Sequence, residues 1–216
     1  MTGTAGQTRE YTMSLLNMTR ALGAATIIIG LAATTVLAQQ PSRIRGQIEK
    51  ADGSMLSVKT NDGKMVMVKV ADDVRLSSLA KTTLADIKDD SYIGVAGMAR
   101  PDGSIEAFSI HVLLPAARGN GEGERPWDAK AGSTMTNAYL ESSVASADGR
   151  TLMVKYKGSE KKIIVTPTTV LAQAGPADKS ELKPGAQIII MAALKQPDDS
   201  YLAKVIYVGR GIKPAM

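Results

Sequence analysis

The chain spells nearly the same pattern twice, 96 residues apart. Ala51-Asp52-Gly53-Ser54-Met55-Leu56-Ser57-Val58-Lys59 returns as Ala147-Asp148-Gly149-Arg150-Thr151-Leu152-Met153-Val154-Lys155. Further on, Pro101-Asp102-Gly103-Ser104 with Ala107 and Ile110-His111-Val112 returns as Pro197-Asp198-Asp199-Ser200 with Ala203 and Ile206-Tyr207-Val208. Turn residues, spacing and apolar alternation are kept; no reactive residue is. Only backbone geometry and core packing need such a pattern twice, so the halves read as two copies of one structural module.

The signals inside each copy are those of strands: short apolar or alternating runs, rich in β-branched residues and punctuated by Asp-Gly turns. In the first copy they predict strands near 44–50, 55–60, 64–70, 92–98 and 105–113. Asp52-Gly53, Asn61-Asp62-Gly63 and Pro101-Asp102-Gly103 supply the positive-φ residue that a tight hairpin needs. Between the third and fourth strands, Thr83 is placed to cap one helical turn carrying Leu84 and Ile87. The second copy predicts strands near 138–147, 151–157, 161–166, 187–193 and 201–209, with a single turn at 180–185 stopped by Pro184-Gly185. Three strands, a short helix and two further strands are the order of a five-stranded OB-like barrel. The expected fold is therefore all-β, with two tandem small OB-like barrels over 43–114 and 136–210, joined by an ordered linker over 115–135.

Ahead of the first copy, Arg20 precedes an uncharged run from Ala21 to Ser42. Its apolar stretch ends in Val36-Leu37-Ala38, small residues at the positions a signal peptidase reads. Residues 1–38 read as a signal peptide cleaved after Ala38, which places the protein in the periplasm or outside the cell. The competing reading keeps the segment as a membrane anchor, which needs roughly 20 apolar residues; the start is either Met1 or Met13. The chain has no cysteine, so it builds no disulfide, thiolate metal site or thiol nucleophile. Without residues 1–38 it carries 24 basic and 20 acidic side chains. That excess suits loose attraction to an anionic glycan or surface and falls short of a nucleic-acid footprint. Aromatic residues make up only 4%, too few for the interleaved stacking that oligonucleotide-binding barrels use.

The chain offers few residues for chemistry. His111 is the sole histidine; it alternates with Ile110 and Val112 on a predicted strand, and its counterpart is Tyr207, which predicts a surface or groove position. No Gly-x-Ser-x-Gly elbow or comparable nucleophile accompanies it, and a conventional zinc site cannot be assembled from one histidine and no cysteine. Met65 and Met67, two apart on a strand, present soft sulfur to one side in a way that suits Cu(I). The second copy has Lys161 and Ile163 at those positions. The linker concentrates Arg118, Glu122, Glu124, Arg125, Pro126, Trp127 and Asp128 within eleven positions. Trp127 there either staples the linker to the cleft between barrels or presents a stacking face. Arg118 and Arg125 are the candidate partners of an anionic group, with Glu122 and Asp128 as their counter-charges.

Through Arg118-Gly119-Asn120-Gly121-Glu122-Gly123-Glu124-Arg125-Pro126-Trp127-Asp128 and the following Gly132-Ser133-Thr134-Met135-Thr136-Asn137, the chain resembles a family of exported proteobacterial proteins of unknown function. The resemblance covers roughly Arg43 to Arg210. Members carry His where this chain has Glu124, a departure that weakens a histidine metal site shared with His111. Some bear a metal-transporter permease label, but one apolar segment cannot make a permease, which needs several spanning helices. The functional expectation is a non-enzymatic, cofactor-free binding or interaction module of the cell envelope. Its partner would be an envelope macromolecule or anionic glycan rather than nucleic acid, with membrane contact only through an uncleaved leader. Accessory metal handling through Met65, Met67 and His111 is the alternative.

Overall fold

The computed structural model describes residues 41–146 and 149–214. The expected signal peptide and its cleavage after Ala38, the choice of start and the turn expected at Ala147-Asp148 lie outside them. The described chain is all-β, as its alternation requires: β1 Ser42–Asp52, β2 Met55–Thr60, β3 Met65–Lys81, β4 Tyr92–Ala99, β5 Ile105–Val112, β6 Gly123–Pro126, β7 Ser133–Ser146, β8 Gly149–Tyr156, β9 Ser159–Pro176, β10 Gln187–Lys195 and β11 Tyr201–Arg210. Single 3-10 turns stand at Leu84–Asp86 and Lys179–Glu181, between the third and fourth strands of each half, and at Pro115–Ala117. Thr83 holds the first, its hydroxyl 2.7 Å and its backbone N–H 3.1 Å from a carboxylate oxygen of Asp86. Asp178 holds the second by accepting from the Ser180 N–H at 2.8 Å.

The pairings close two five-stranded rings. β1 pairs with β2 and β10, β2 with β3, β3 with β11 in parallel, and β11 with β10. The second ring runs β7, β8, β9, then β5 in parallel with β9, then β4, which returns to β7. Both rings have the OB order, an antiparallel meander closed by a parallel pair. Neither is built from one half of the chain. The first barrel takes β1–β3 from the first half and β10–β11 from the second; the second barrel takes β7–β9 and, from the first half, β4–β5. The sequential units 43–114 and 136–210 are thus replaced by an intramolecular exchange of C-terminal hairpins.

The cause lies in β3 and β9, each much longer than the runs read at 64–70 and 161–166. Toward its C-terminal end each strand keeps its parallel partner on one edge, β11 beside Ser77–Ala80 and β5 beside Ala172–Gln173, while its other edge pairs antiparallel with the other strand, Ser77–Lys81 against Ala172–Pro176. The hairpin that follows is thereby delivered to the opposite barrel. Asp72-Asp73 and Pro167 lie just beyond those runs, and charged residues and Pro normally end strands. Here they sit in matching four-residue excursions: Ala203 stands opposite Val70 while Val205 stands opposite Arg75, and Ala107 opposite Val165 while Ser109 stands opposite Val170. The strands resume beyond them.

Sequence matching also misplaces one hairpin. Nine residues separate the paired Ile48 and Val58, and thirteen separate Leu140 and Val154. Opposite Leu56 stands Ala51, but opposite Leu152 stands Ser143, so the structural counterpart of Ala51 is Ser143. Gly46 permits the tight crossing of β1 over β2, since a Cβ there would stand 2.3 Å from the Lys59 carbonyl oxygen.

Three apolar clusters hold the molecule. The first barrel's core joins Ile48, Leu56, Val58 and Val68 to Ile188, Ile190 and Ile206. The second joins Ile93, Val95, Ile105 and Ile110 to Leu140, Leu152, Val154 and Ile163. Each core therefore draws on both halves of the chain. A third cluster, Leu79, Ala96, Trp127, Met135, Ala172, Ala174 and Ile189, fills the space between the barrels.

Candidate functional site

The linker is built onto the second barrel residue by residue. Gly119, Gly121 and Gly123 all take positive φ, the conformation glycine enters without a Cβ penalty, which is why glycine alternates through this stretch. The bend they make presents the Asn120 carbonyl to the Tyr92 hydroxyl at 2.9 Å and to the Asn137 amide at 3.0 Å. Burial raises the Tyr92 phenol to about 12, so it remains a donor. The linker then becomes a strand that sequence reading left out, β6, paired with β7 from Gly123↔Asn137 to Pro126↔Thr134.

Trp127 follows directly and is 6% exposed. Its backbone N–H donates to the Ser133 carbonyl at 2.8 Å, closing the turn into β7. Its ring packs in the inter-barrel cluster, with the Arg43 guanidinium 3.9 Å from the ring centroid and those of Arg125 and Arg45 at 5.6 and 5.9 Å. Asp128 reaches back across the barrels to Arg45 at 2.7 Å and Arg43 at 3.5 Å. Burial opposes its charge, but the hydrogen bond from Arg45 and the two guanidinium charges outweigh burial and lower its pKa. Of the two roles read for Trp127, the geometry is that of the staple. The indole Nε1 is itself buried without an acceptor.

The other linker residues do not form the ion-pair set expected of them. Arg118 pairs with Asp90, 2.8 Å to its carboxylate and 2.8 Å to its carbonyl, and lies 4.9 Å from the Tyr139 ring centroid. Glu122 accepts from the Lys157 backbone N–H at 2.7 Å. Glu124 pairs with Lys161 at 3.1 Å. Arg125 donates to the Gly121 carbonyl at 2.8 Å and meets no carboxylate among the described residues; burial, then the nearby Arg43 charge, lower its pKa.

Arg125 and Trp127 border a cleft of about 370 Å³ between the barrels. Arg75 and Ser77 of β3, Met191 of β10, and Val205 and Tyr207 of β11 come from the first barrel's ring. Gly94 of β4, with Met135 and Asn137 of β7, comes from the second, and Leu113 to Trp127 supply the rim. Trp127 and Arg125 are the only residues of the expected set that line it. Arg75, Asn137 and Met191 went unread because β3, β7 and β10 meet only through the exchange; the one available signal was Tyr207, through its match to His111.

No family model, curated protein or solved structure matches this chain.

His111 is a correction to the expected surface or groove position: it is wholly enclosed. It stands opposite Gly94 of β4 and Ala172 of β9, on the face of β5 that the neighbouring barrel covers. Ser109, also enclosed, places its hydroxyl 3.2 Å from Nε2. Desolvation lowers the imidazole to about 3, so it is neutral near pH 7. Met65 and Met67 are 55% and 46% exposed on β3, and the enclosed His111 cannot share an ion with them. No cluster of three His, Asp or Glu side chains able to hold a metal exists among the described residues. Among them, too, no helix is long and apolar enough to cross a membrane.

The buried His111 predicts an acid-sensitive fold. Its pKa is about 3 folded and near 6.5 unfolded, so between those values the unfolded chain holds the extra proton and stability falls as pH falls. The limiting slope is ~1.4 kcal/mol per pH unit. Urea unfolding at pH 6.5 and 4.5 should therefore differ by roughly 2 kcal/mol, and His111→Gln should remove most of that difference whatever it does to absolute stability. An equal difference in both proteins would refute the assignment.

Proposed function

We propose that this chain is a non-enzymatic binding protein of the cell envelope that takes a small organic molecule into the cleft between its barrels. The observation that carries the reading is the cleft itself. It is concave, about 370 Å³, within the range of small-molecule sites, and its walls are mainly apolar, from Leu113, Leu114, Met135, Met191 and Val205. That size favours a small ligand over a macromolecular partner. A binding role fits better than catalysis because the one histidine is sealed behind β4 and β9 rather than set on the cleft wall. Metal handling receives less support, since the exposed methionines and the enclosed imidazole lie apart.

The test is titration of the purified protein with the neutral fluorophore 1-aminoanthracene. Saturable enhancement at one probe per chain is expected. It should be lost in Val205→Trp, which fills the cleft from a partly exposed position on β11, while far-ultraviolet circular dichroism stays unchanged. Absence of saturable binding, or binding indifferent to Val205→Trp, would overturn the reading.

A further inference from the structure

We infer that the ligand is an organic anion, an apolar body bearing a carboxylate-type group whose charge is met by Arg75 and Arg125. The inference rests on the cleft being the ligand site and adds the chemistry of what enters it. The charged side chains lining the cleft are both guanidinium groups, with no Asp or Glu among the lining residues. Arg43, Arg45, Arg100, Arg118 and Arg210 each have a carboxylate within 4 Å. Arg75, Arg125 and the exposed Arg150 of β8 have none among the described residues. Of the acidic neighbours of Arg125 along the chain, Glu124 is engaged by Lys161 and Asp128 by Arg43 and Arg45.

Arg125 is the more telling of the two. It is partly buried, it spends one donor on the Gly121 carbonyl, and it shares the Trp127 ring with Arg43. A guanidinium carries five N–H donors in a planar fork that matches a carboxylate. A partly dehydrated cation beside another cation is stabilised by an entering anion more than a solvated one is. Arg75 stands on the opposite wall, on β3, in the segment that the strand excursion places beside Val205. Apolar walls with cationic groups select a molecule with both features and penalise its uncharged analogue.

Displacement of bound 1-aminoanthracene by decanoate, decanol and inorganic phosphate tests this. Decanoate should displace at a concentration roughly ten-fold or more below that of decanol, and phosphate should not displace. Arg125→Met and Arg75→Met should each raise the decanoate concentration required while leaving decanol unchanged; Arg75 is exposed, so its variant keeps the test valid if Arg125→Met unfolds. Equal potency of decanoate and decanol, or a preference surviving both variants, would overturn the anion assignment and leave the cleft reading standing. Displacement by phosphate alone would overturn the apolar-body requirement. Failure of the fluorophore to bind at all would instead overturn the cleft reading.

Discussion

Trp127→Ala is expected to destabilise the protein by ~3–5 kcal/mol, the range for truncating a buried large aromatic side chain. The indole sits in the cluster between the barrels beside Leu79, Met135 and Ile189, elements that belong to both rings, so the cavity it leaves has little freedom to collapse. The loss goes beyond area. Arg43 lies 3.9 Å from the ring centroid, and removing the ring leaves that guanidinium, with Arg45 and Arg125, around a void beside Asp128. Trp127→Phe should cost far less, because it keeps an aromatic face for Arg43 and discards the indole N–H that is buried without an acceptor. Urea midpoints with an unchanged denaturant slope would measure both effects. A loss below 1 kcal/mol for Trp127→Ala would show that the residue is not the staple the packing makes it, and would return it to the role of a stacking face.

The second large effect comes from the exchanged hairpins. Gln47 of β1 stands directly opposite Gln187 of β10, both partly exposed, and facing residues of an antiparallel pair have Cα atoms roughly 4.5–5.5 Å apart, within disulfide range. Substituting both by cysteine should give a monomer with one internal disulfide. It would close a loop of about 140 residues and raise stability by ~2–5 kcal/mol, reversibly on reduction. The chain has no other cysteine to mispair with. Were each half to close its own barrel, β1 would pair with β4 and these two positions would lie on different barrels. Free thiols, or cross-links only between molecules, would then be found by non-reducing electrophoresis and mass measurement.

Much of the molecule was legible locally. Asp-Gly turns and apolar alternation located ten of the eleven strands, because a tight turn and a half-buried face are decided within a few residues. The capped turn at Leu84–Asp86 was legible for the same reason, since Thr83 and Asp86 satisfy each other's neighbours within one turn. The four-residue strand β6 was not, because Glu and Arg flanked by Gly and Pro have no strand propensity of their own; pairing with β7 imposes it. The candidate site was legible only in part. Trp127 and Arg125 stood out as unusual residues in a polar linker. Arg75 did not, because an arginine two residues after Asp-Asp looks like ordinary solvated surface until another strand is laid beside it. His111 was misplaced for a related reason: alternation says which residues share a face of a strand, and it is silent on whether that face meets water or a second barrel.

By itself the sequence determined the all-β class, the order of strands in each half and the residues that face a core. Those properties follow from side-chain alternation and turn chemistry, both short-range. Only the tertiary structure decided which hairpin enters which barrel, and with it the cleft. The two halves present nearly the same apolar faces, so β4–β5 and β10–β11 satisfy the same local pattern in either barrel. The choice is made by β3 and β9, whose C-terminal stretches pair with each other along the edge that their own rings leave open before the chain turns.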